Sequence, residues 1–454
     1  MARGTTRRRF MQTTAAAGVG YWVAGGVQAQ ESKSAIEEIR FACIGVGGKG
    51  QSDSADAGRN GAVVAICDID DNTRLRASAK FSKAKPYYDY RKMLDEMGKS
   101  IDAVTVSTPD HHHAPAAVRA MRMGINCFCQ KPMTHSIGEA RLLGNLAAEN
   151  KLATQMGNQG TADPTLRASA ALVQRGDIGT VKEVHIWTNR PVWPQGLERP
   201  AAEEVPAHVH WDEWLGPAPE RPYSSQYHPF KWRGWWDFGT GALGDMACHT
   251  LNMPYMALEL KDPISVQAET AGHDKDSYPK WSVINYEFAA NDNRPAVKMI
   301  WYDGGKKPPI ELLPTKEQLG ITDDKRYNAK IERGSLLIGE KGSLFSPGDY
   351  GGDSSTGVLA GGEYTLQNSL DIEFERSPGH FEEFARAIKG GPAARSNFPG
   401  YATGLTEVVL LGNLAVWADG PKVEWDAKNL KCTNMPELQK IVNKEYRQGW
   451  GIDA

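Results

Sequence analysis

Short apolar runs alternate with helix-like segments in the first third of the sequence. The strand-like runs lie at residues 39–44, 62–67, 101–110, 125–132 and 152–160. Segments of helical character lie between them, after Gly50 and at residues 87–97, 111–124 and 136–151. Strands that alternate with helices join by right-handed crossovers, which gives a parallel sheet covered by helices on both faces. We therefore predict an α/β domain over residues 38–160.

The pattern changes from about residue 161. A helix is predicted at 164–176, and strand-like runs follow at 180–189, 264–270, 282–290, 296–304 and 335–347. Alternating apolar and polar positions are typical of a sheet with one covered face. The whole chain is thus predicted to be α/β, with a second α+β domain at 161–425 built on a large, mostly antiparallel open sheet. Two late helices should pack back onto the first domain, and 426–454 form a C-terminal tail.

The first 30 residues have the order of a targeting segment. Thr6-Arg7-Arg8-Arg9-Phe10 is similar to the twin-arginine export motif, and Val27-Gln28-Ala29 suits signal cleavage. The apolar stretch between them is too short and glycine-rich for a stable membrane span. We predict a signal peptide at 1–30, export by the twin-arginine translocase and a periplasmic protein with no membrane span when mature. The alternative is a basic, disordered tail.

Composition restricts the possible partners. The 454 residues include 52 basic and 55 acidic side chains, a net charge of −3, without a basic stripe, so nucleic acid is not expected. Six cysteines form no C-x-x-C pair and are expected to be buried thiols.

A glycine motif follows the first predicted strand. Gly45, Gly47 and Gly50 form G-x-G-x-x-G before a helix, and Asp68 lies 18 residues past Gly50. Such glycines permit a tight turn, close approach to a pyrophosphate and close helix packing. The acid can accept hydrogen bonds from a ribose and favours NAD, while Lys49 leaves NADP possible. We predict a Rossmann dinucleotide-binding domain; the alternative is a glycine-rich turn of another α/β protein.

Other polar residues have chemical and structural interpretations. Asp245 and His249, four residues apart, share one face if residues 241–260 are helical. They could form a site, or be a helix cap and a core histidine. The histidine run 111–113 could bind metal, but a helix start beside the cofactor explains it better, and no metal is assigned. The aromatic-rich insertion 190–240 could line a sugar pocket or a subunit interface.

The chain resembles the glucose–fructose oxidoreductase/inositol 2-dehydrogenase (Gfo/Idh/MocA) family over about residues 38–425. The resemblance lies in "GVGGKG", "STPDHHH", "QKP", "GALGDMACHTLN" and the late "HFEEFARAI" and "SNFPGYATGLTEVVLLGNLA" segments. It implies that Lys131 and His249 perform acid–base chemistry, supported by Asp245. It also implies a cis bond before Pro132 and a homo-oligomer, a dimer or tetramer.

The site residues are assigned on these grounds. The cofactor set is Gly45, Gly47, Gly48, Gly50, Asp68, Thr108, Pro109, His113, Gln130 and Lys131. The substrate set is Asn158, Trp232, Arg233, Trp236 and Asn252. Gln130 replaces the family's usual Glu, which is expected to leave Lys131 less strongly paired, and Asn252 stands where many members have Asp.

Three functions are compatible with these residues. The first is an exported NAD(P)-dependent oxidoreductase that acts on the CH–OH group of a sugar, polyol or glycoside with a tightly bound, recycled cofactor. The second is an NAD-dependent glycoside hydrolase or lyase that uses transient oxidation and elimination. The third is a non-catalytic sugar-binding protein on the same fold.

Overall fold

The computed structural model describes residues 38–452 except 353–356, 361–362 and 367–370. The described residues from Ile39 to Ile452 form one compact unit. The predicted signal peptide lies outside the described residues.

The first domain is built on a six-stranded parallel sheet in the order β3-β2-β1-β4-β5-β6. Its strands are β1 (Ile39–Ile44), β2 (Gly61–Cys67), β3 (Lys85–Tyr87), β4 (Ala103–Val106), β5 (Asn126–Cys129) and β6 (Thr154–Met156). Its helices are α1 (Lys49–Asn60), α2 (Asp71–Lys80), α3 (Tyr90–Met97), α4 (His113–Arg122) and α5 (Ile137–Glu149). This is the predicted Rossmann domain, and all its strands end at the same edge of the sheet.

Local signals in the sequence set several helix starts. Ser136 and Glu139 form a capping box at the start of α5, where each side chain binds the other residue's backbone N–H. Asp163 caps the helix α6 (Pro164–Arg175), whose first residue is a proline that needs no N–H partner. Gly176, in the left-handed conformation, ends α6.

The second domain contains a mixed sheet in the order β14-β13-β12-β11-β7-β10-β9-β8-β15-β16. Its strands are β7 (Val181–Trp187), β8 (Ser265–Thr270), β9 (Ser282–Phe288), β10 (Val297–Tyr302), β11 (Gly334–Gly339), β12 (Gly342–Pro347), β13 (Gly357–Ala360), β14 (Glu363–Leu366), β15 (Val423–Asp426) and β16 (Lys431–Cys432). Strands β7 and β10 are parallel, and the other described pairs are antiparallel. The predicted, mostly antiparallel sheet is confirmed.

Further helices cover this sheet and join the domains. They are α7 (Trp211–Leu215), α8 (Gly241–Thr250), α9 (Asn252–Leu258), α10 (Asp324–Lys330), α11 (His380–Ile388), α12 (Thr403–Ala418) and α13 (Gln439–Val442). Helix α11 adds Phe381 and Phe384 to an aromatic cluster with Phe41 and Phe128 of the first domain. The predicted packing of the late helices onto the first domain is confirmed.

Helix α12 is part of a long apolar segment. Residues Phe398–Ala418 are long and apolar enough to cross a membrane, but 78% of the apolar window is buried inside the fold. The segment packs as a core helix between α5 and β8. All six cysteines lie in the described part of the chain, where each is buried and unpaired, as expected.

Candidate active site

A cavity of about 600 Å³ lies at the carboxyl edge of the Rossmann sheet, between the two domains. The glycine loop after β1 and the ends of β2, β4 and β5 form one side. The insertion, helix α8 and Trp450 form the other. Ligands of open α/β sheets bind at this edge, so the cavity is the expected location of a cofactor site.

The glycine loop approaches its surroundings too closely for larger residues. Gly45 has φ +75°, and a Cβ atom there would lie 2.6 Å from the carbonyl oxygen of Ser107. A Cβ atom on Gly50 would lie 1.9 Å from the carbonyl oxygen of Gly45, whereas the space beside Gly48 is open. Helix α1 begins directly afterwards, so free backbone N–H groups meet an open cradle. The loop fits a pyrophosphate.

Asp68 follows β2 and lines the cavity. Its carboxylate accepts hydrogen bonds from the backbone N–H groups of Val46, at 2.9 Å, and Asp70, at 3.0 Å. Burial raises the pKa of Asp68, and these hydrogen bonds oppose the rise. The glycine loop therefore holds Asp68 in place as an acceptor for ribose hydroxyls.

Four polar atoms in the cavity wall have no hydrogen-bond partner within the described part of the chain. They are Tyr90 Oη, Thr108 Oγ1, His112 Nδ1 and His249 Nδ1, and all four are buried. All four residues line the cavity. Buried polar groups are normally paired, so these atoms are consistent with a ligand supplying the missing partners. Together with the glycine cradle and Asp68, they fit a dinucleotide such as NAD.

Lys131 follows β5, and the peptide bond before Pro132 is cis, as the family resemblance implies. The Lys131 ammonium donates to Asp245 Oδ1 and to the Asp245 carbonyl oxygen, both at 2.7 Å. Gln130 instead donates from Nε2 to Asp53 Oδ2 at 2.8 Å. The expectation of a less strongly paired Lys131 overlooked Asp245, which supplies the counter-charge from the second domain.

Helix α8 presents Asp245 and His249 to the cavity from one face, as their spacing predicts. Burial alone would raise the pKa of Asp245, but the charges of Lys131 and Arg233 outweigh it and hold that pKa well below its usual value. Burial, and next the charge of Lys131, lowers the pKa of His249 well below its ordinary value. The site thus combines an ammonium, a carboxylate and a neutral imidazole.

The predicted cofactor residues occupy different parts of the site. Gly45, Gly47, Gly48, Asp68, Thr108, Pro109, Gln130 and Lys131 line the cavity. Gly50 lies behind the loop, against Gly45. The His113 ring packs between the carbonyl oxygens of Pro132, at 2.8 Å, and Thr108, at 2.9 Å. His113 therefore connects the two loops that end β4 and β5 without lining the cavity.

The predicted substrate residues divide into two groups. Trp232 and Arg233 line the cavity, whereas Asn158, Trp236 and Asn252 do not. Asn252 donates to Thr161 Oγ1 and accepts from the Tyr401 hydroxyl. Asn158 accepts from Ser396 Oγ, and Trp236 stacks on Tyr278 at 3.7 Å between ring centroids. These three side chains connect parts of the protein interior, and their assignment to substrate finds no support in the cavity wall.

The first two residues of the histidine run bind backbone groups. His111 Nε2 and His112 Nε2 both contact the carbonyl oxygen of Trp214, at 2.9 and 2.8 Å. His111 Nδ1 contacts the carbonyl oxygen of Phe238 at 3.1 Å. Both histidines hold the insertion against the start of α4.

The insertion lies over the first domain. Val209 forms a β-bridge with Asp70, directly beyond Asp68. His210 stacks on Tyr88 at 4.1 Å between ring centroids, and its Nε2 contacts Asp71 Oδ1 at 2.9 Å. Other residues of the insertion form part of the cavity wall, among them Trp193, Trp214, Phe230 and Trp232, whereas Val209 and His210 do not line it. The insertion is thus a wall of the pocket, as one of the two interpretations predicts.

Trp450 is a site residue that sequence reasoning missed. It is buried and lines the cavity, with the Arg91 guanidinium 3.5 Å from the indole centroid. Arg447 donates to the carbonyl oxygen of Gly216 in the insertion at 2.8 Å. The predicted tail therefore completes the cavity wall. A lone tryptophan in a polar segment is the signal that could have indicated this contact.

Two family models match the chain. One, "Oxidoreductase family, NAD-binding Rossmann fold", matches residues 39–158. The other, "Oxidoreductase family, C-terminal alpha/beta domain", matches residues 175–298. Together they match more than half of the chain. Both are models of the Gfo/Idh/MocA type, so they confirm the family resemblance over these residues, which include every quoted motif except the two late ones.

Curated relatives match over part of their length. Inositol 2-dehydrogenase of Rhizobium meliloti is 28% identical over 160 residues, 34% of this chain and 47% of that protein. Levoglucosan dehydrogenase of Pseudarthrobacter phenanthrenivorans is 21% identical over 189 residues, 41% of this chain and 40% of that protein. The matches span less than half of either relative.

Solved structures match the fold over almost their whole length. The WlbA dehydrogenase of Bordetella pertussis, in complex with NADH and UDP-GlcNAcA, has a TM-score of 0.58 and 17% identity, and the match covers 86% of this chain and 99% of that chain. An inositol dehydrogenase homologue of Azotobacter vinelandii, complexed with NAD⁺, has a TM-score of 0.59 and 16% identity, covering 86% and 97%. At this identity the likeness supports the two-domain fold alone.

Proposed function

This chain belongs to the Gfo/Idh/MocA family of NAD-binding oxidoreductases, and on that premise we propose that it oxidises a CH–OH group of a sugar, polyol or glycoside. One observation carries the proposal. Lys131 from the cofactor domain meets Asp245 of the second domain, and His249 lies one helical turn from Asp245 on the same cavity wall. Distant relatives named as inositol and levoglucosan dehydrogenases support the substrate class.

Oxidation of a carbinol removes the proton from the hydroxyl oxygen and a hydride from the carbon that bears that oxygen. NAD, when bound, supplies the hydride acceptor. His249 is a neutral imidazole because its pKa is lowered, so it is ready to accept the hydroxyl proton. The Lys131 ammonium donates to Asp245, on the same helix as His249. It stabilises negative charge that develops on the substrate oxygen. Asp245 positions the ammonium through its hydrogen bond.

The enclosure of the cavity favours a cofactor that stays bound between turnovers. The insertion covers the loop after Asp68, and Trp450 closes the wall beside Tyr90 and His112. The hydrogen bond from Arg447 to the carbonyl oxygen of Gly216 connects the insertion to the segment that carries Trp450. A nucleotide held in this way is recycled by a second substrate, which is what an enzyme working outside a soluble NAD pool requires.

We also propose export by the twin-arginine pathway. The Thr6–Phe10 motif carries this proposal, and six buried, unpaired cysteines are compatible with it, since a fold that is complete before export needs no disulfide chemistry in its final compartment. We expect replacement of Arg7 and Arg8 by lysine to retain the full-length precursor in the cytoplasm, detected by cell fractionation. Export that continues unchanged in this variant would contradict the assignment.

The test of the activity uses the purified full-length protein. Denaturation should release NAD(H), identified by absorbance and mass, and a panel of sugars and glycosides should reduce the bound nucleotide. Mass analysis of the product then separates two chemistries. A keto sugar or lactone supports the oxidoreductase, whereas a free aglycone without net redox change indicates glycoside cleavage instead. A protein that releases no nucleotide and shows no reduction would contradict the proposal.

A further inference from the structure

Cationic side chains predominate at one end of the cavity. This substrate end is lined by Lys131, Arg190, Arg233, Asp245, His249 and Tyr350. Among these residues, three carry a positive charge and one a negative charge, since His249 is neutral. The ion pairs of each cation show where the excess charge lies.

Two of the three cations are neutralised by close partners. Lys131 donates to Asp245 at 2.7 Å. Arg233 Nη1 lies 2.9 Å from both carboxylate oxygens of Asp110, which is fully buried beneath it. Arg233 Nε lies 3.2 Å from Asp245 Oδ1. These contacts form a closed network that leaves neither cation available as the main partner of an anionic ligand.

Arg190 is held much more loosely. It follows β7 and its side chain is 21% exposed, with Nε 3.8 Å from Asp245 Oδ2 and Nη2 4.0 Å from Asp349 Oδ2. Both separations exceed hydrogen-bond length. Asp349 has a closer partner in Arg333, at 3.2 Å. Within the described residues, the only side-chain hydrogen bond of the Arg190 guanidinium goes from Nη1 to Asn189.

One more carboxylate, that of Glu332, lies near Arg190 but outside the cavity lining. Glu332 is half-exposed, does not line the cavity, and accepts from Asn189 Nδ2 at 3.1 Å. It lies 3.9 Å from Arg333. Glu332, Arg333 and Asp349 are thus separate from the cavity lining. Arg190 lines the cavity, and its Nε and Nη2 make no hydrogen bond to any residue that the structure describes.

We propose that Arg190 binds an anionic group of the substrate, which makes the substrate an acidic sugar such as a uronic acid or its glycoside. A guanidinium presents a planar fork of donors that matches a carboxylate, and partial burial strengthens such a pair. The identity of the ligand as a substrate rests on the proposed function. The carboxylate site itself rests only on the charges and distances around Arg190.

The experiment measures equilibrium binding to the full-length protein with its nucleotide bound. Isothermal titration compares methyl glucuronide, neutral methyl glucoside and glucose 6-phosphate, which separates a carboxylate from a phosphate site. We expect the wild type to bind the glucuronide at least about 10-fold more tightly than the glucoside. Arg190→Gln should remove this preference and leave glucoside binding within about 3-fold, while Arg190→Lys keeps part of it because charge remains without the fork. The surface variant Arg199→Gln is the matched control.

Several outcomes would overturn the inference. Equal affinity of the wild type for glucuronide and glucoside excludes a carboxylate site, as does tighter binding of the phosphate. An Arg190→Gln variant that loses both sugars equally assigns Arg190 to hydroxyl groups instead. Reduction of the nucleotide is measured separately, so glucuronide-selective binding without reduction contradicts only the proposed function. Reduction by neutral sugars without any glucuronide preference contradicts only the inference drawn from Arg190.

Discussion

At the scale of single residues, Gln130 connects the end of β5 to the first helix of the cofactor domain. Its Nε2 donates to Asp53, a carboxylate that is only 1% exposed and also accepts from Ser107 and Lys49. A glutamate at position 130 would place a second carboxylate against Asp53. The amide is therefore the residue type that this neighbour requires, and the departure from the family's Glu has a local cause.

We expect Gln130→Glu to destabilise the fold by about 2 kcal/mol at pH 7.5, because a hydrogen bond is replaced by repulsion between buried carboxylates. In the variant, repulsion favours uptake of a proton by the carboxylate pair. The loss of unfolding free energy relative to wild type should therefore shrink as the pH falls. Urea unfolding at several pH values measures this loss. The double variant Asp53→Asn/Gln130→Glu should recover most of the loss, and a single variant as stable as wild type would refute the like-charge explanation.

The protonation of His249 determines how the rate of nucleotide reduction by substrate depends on pH on the acid side. Because its pKa lies well below the ordinary value, the imidazole stays unprotonated as the pH falls through 6.5. We expect reduction of the bound nucleotide by substrate to be flat from pH 8 to about 6. His249→Gln should slow this step by roughly 10²- to 10⁴-fold when the rate is expressed per bound nucleotide. His273→Gln, away from the cavity, is the control, and a half-maximal rate at pH 6.5 would contradict the assignment.

At the scale of elements, the cavity wall joins segments far apart in the sequence. The insertion and residues 443–452 meet through Arg447 and Gly216, and Arg91 holds Trp450 from the first domain. The sequence could indicate each strand and helix because periodicity is local. It could not indicate that Trp450 belongs to the site, since the contact with Arg91 depends on how the complete chain packs.

We expect Trp450→Ala to release bound NAD(H) roughly 10- to 100-fold faster, because the substitution opens the wall and removes an aromatic surface. Dialysis followed by quantification of the retained nucleotide measures the rate. Trp417→Ala, a partly buried tryptophan that packs on Trp236 away from the cavity, is the matched control. Equal retention by the two variants would show that Trp450 does not hold the cofactor.

The location of a residue at the cavity was predictable where a motif fixes it. The glycine loop, Asp68, Lys131, Asp245 and His249 all line the cavity as the motifs suggested. Asn252 and Trp236 could not be excluded in advance, because neighbouring positions on a helix or loop face opposite sides. Arg190 lies in a segment for which local spacing gives no partner, so its loose ion pairs could be found only in the folded structure.

At the scale of the whole molecule, histidine burial makes the fold sensitive to acid. Burial lowers the pKa of eight histidines: His111, His112, His113, His135, His185, His228, His249 and His380. Below pH 6.5 the unfolded chain binds protons that the folded chain does not. Stability therefore falls as the pH decreases from about 6.5. Asp303, whose pKa burial raises to about 6, acts in the opposite direction because the folded state binds its proton first.

We expect the thermal midpoint to fall steeply between pH 7 and pH 5, with several protons taken up on unfolding. Each histidine contributes up to about 1.4 kcal/mol per pH unit in this range. Calorimetry across pH measures the slope. His135→Gln removes one buried imidazole. Its thermal midpoint should therefore fall less between pH 7.5 and pH 5 than the thermal midpoint of the wild type does. A thermal midpoint independent of pH between 7 and 5 would contradict this account.

The position of Trp450 also sets an order of events during synthesis. The glycine loop and Asp68 leave the ribosome about 400 residues before Trp450 does. Domains fold as they emerge, so the cofactor domain first forms with one side of its cavity open. Its wall is complete only after the ribosome has finished residue 450 and that segment has docked on Arg91. Secure loading of the nucleotide is therefore a maturation step of the finished chain, which a nascent chain cannot perform.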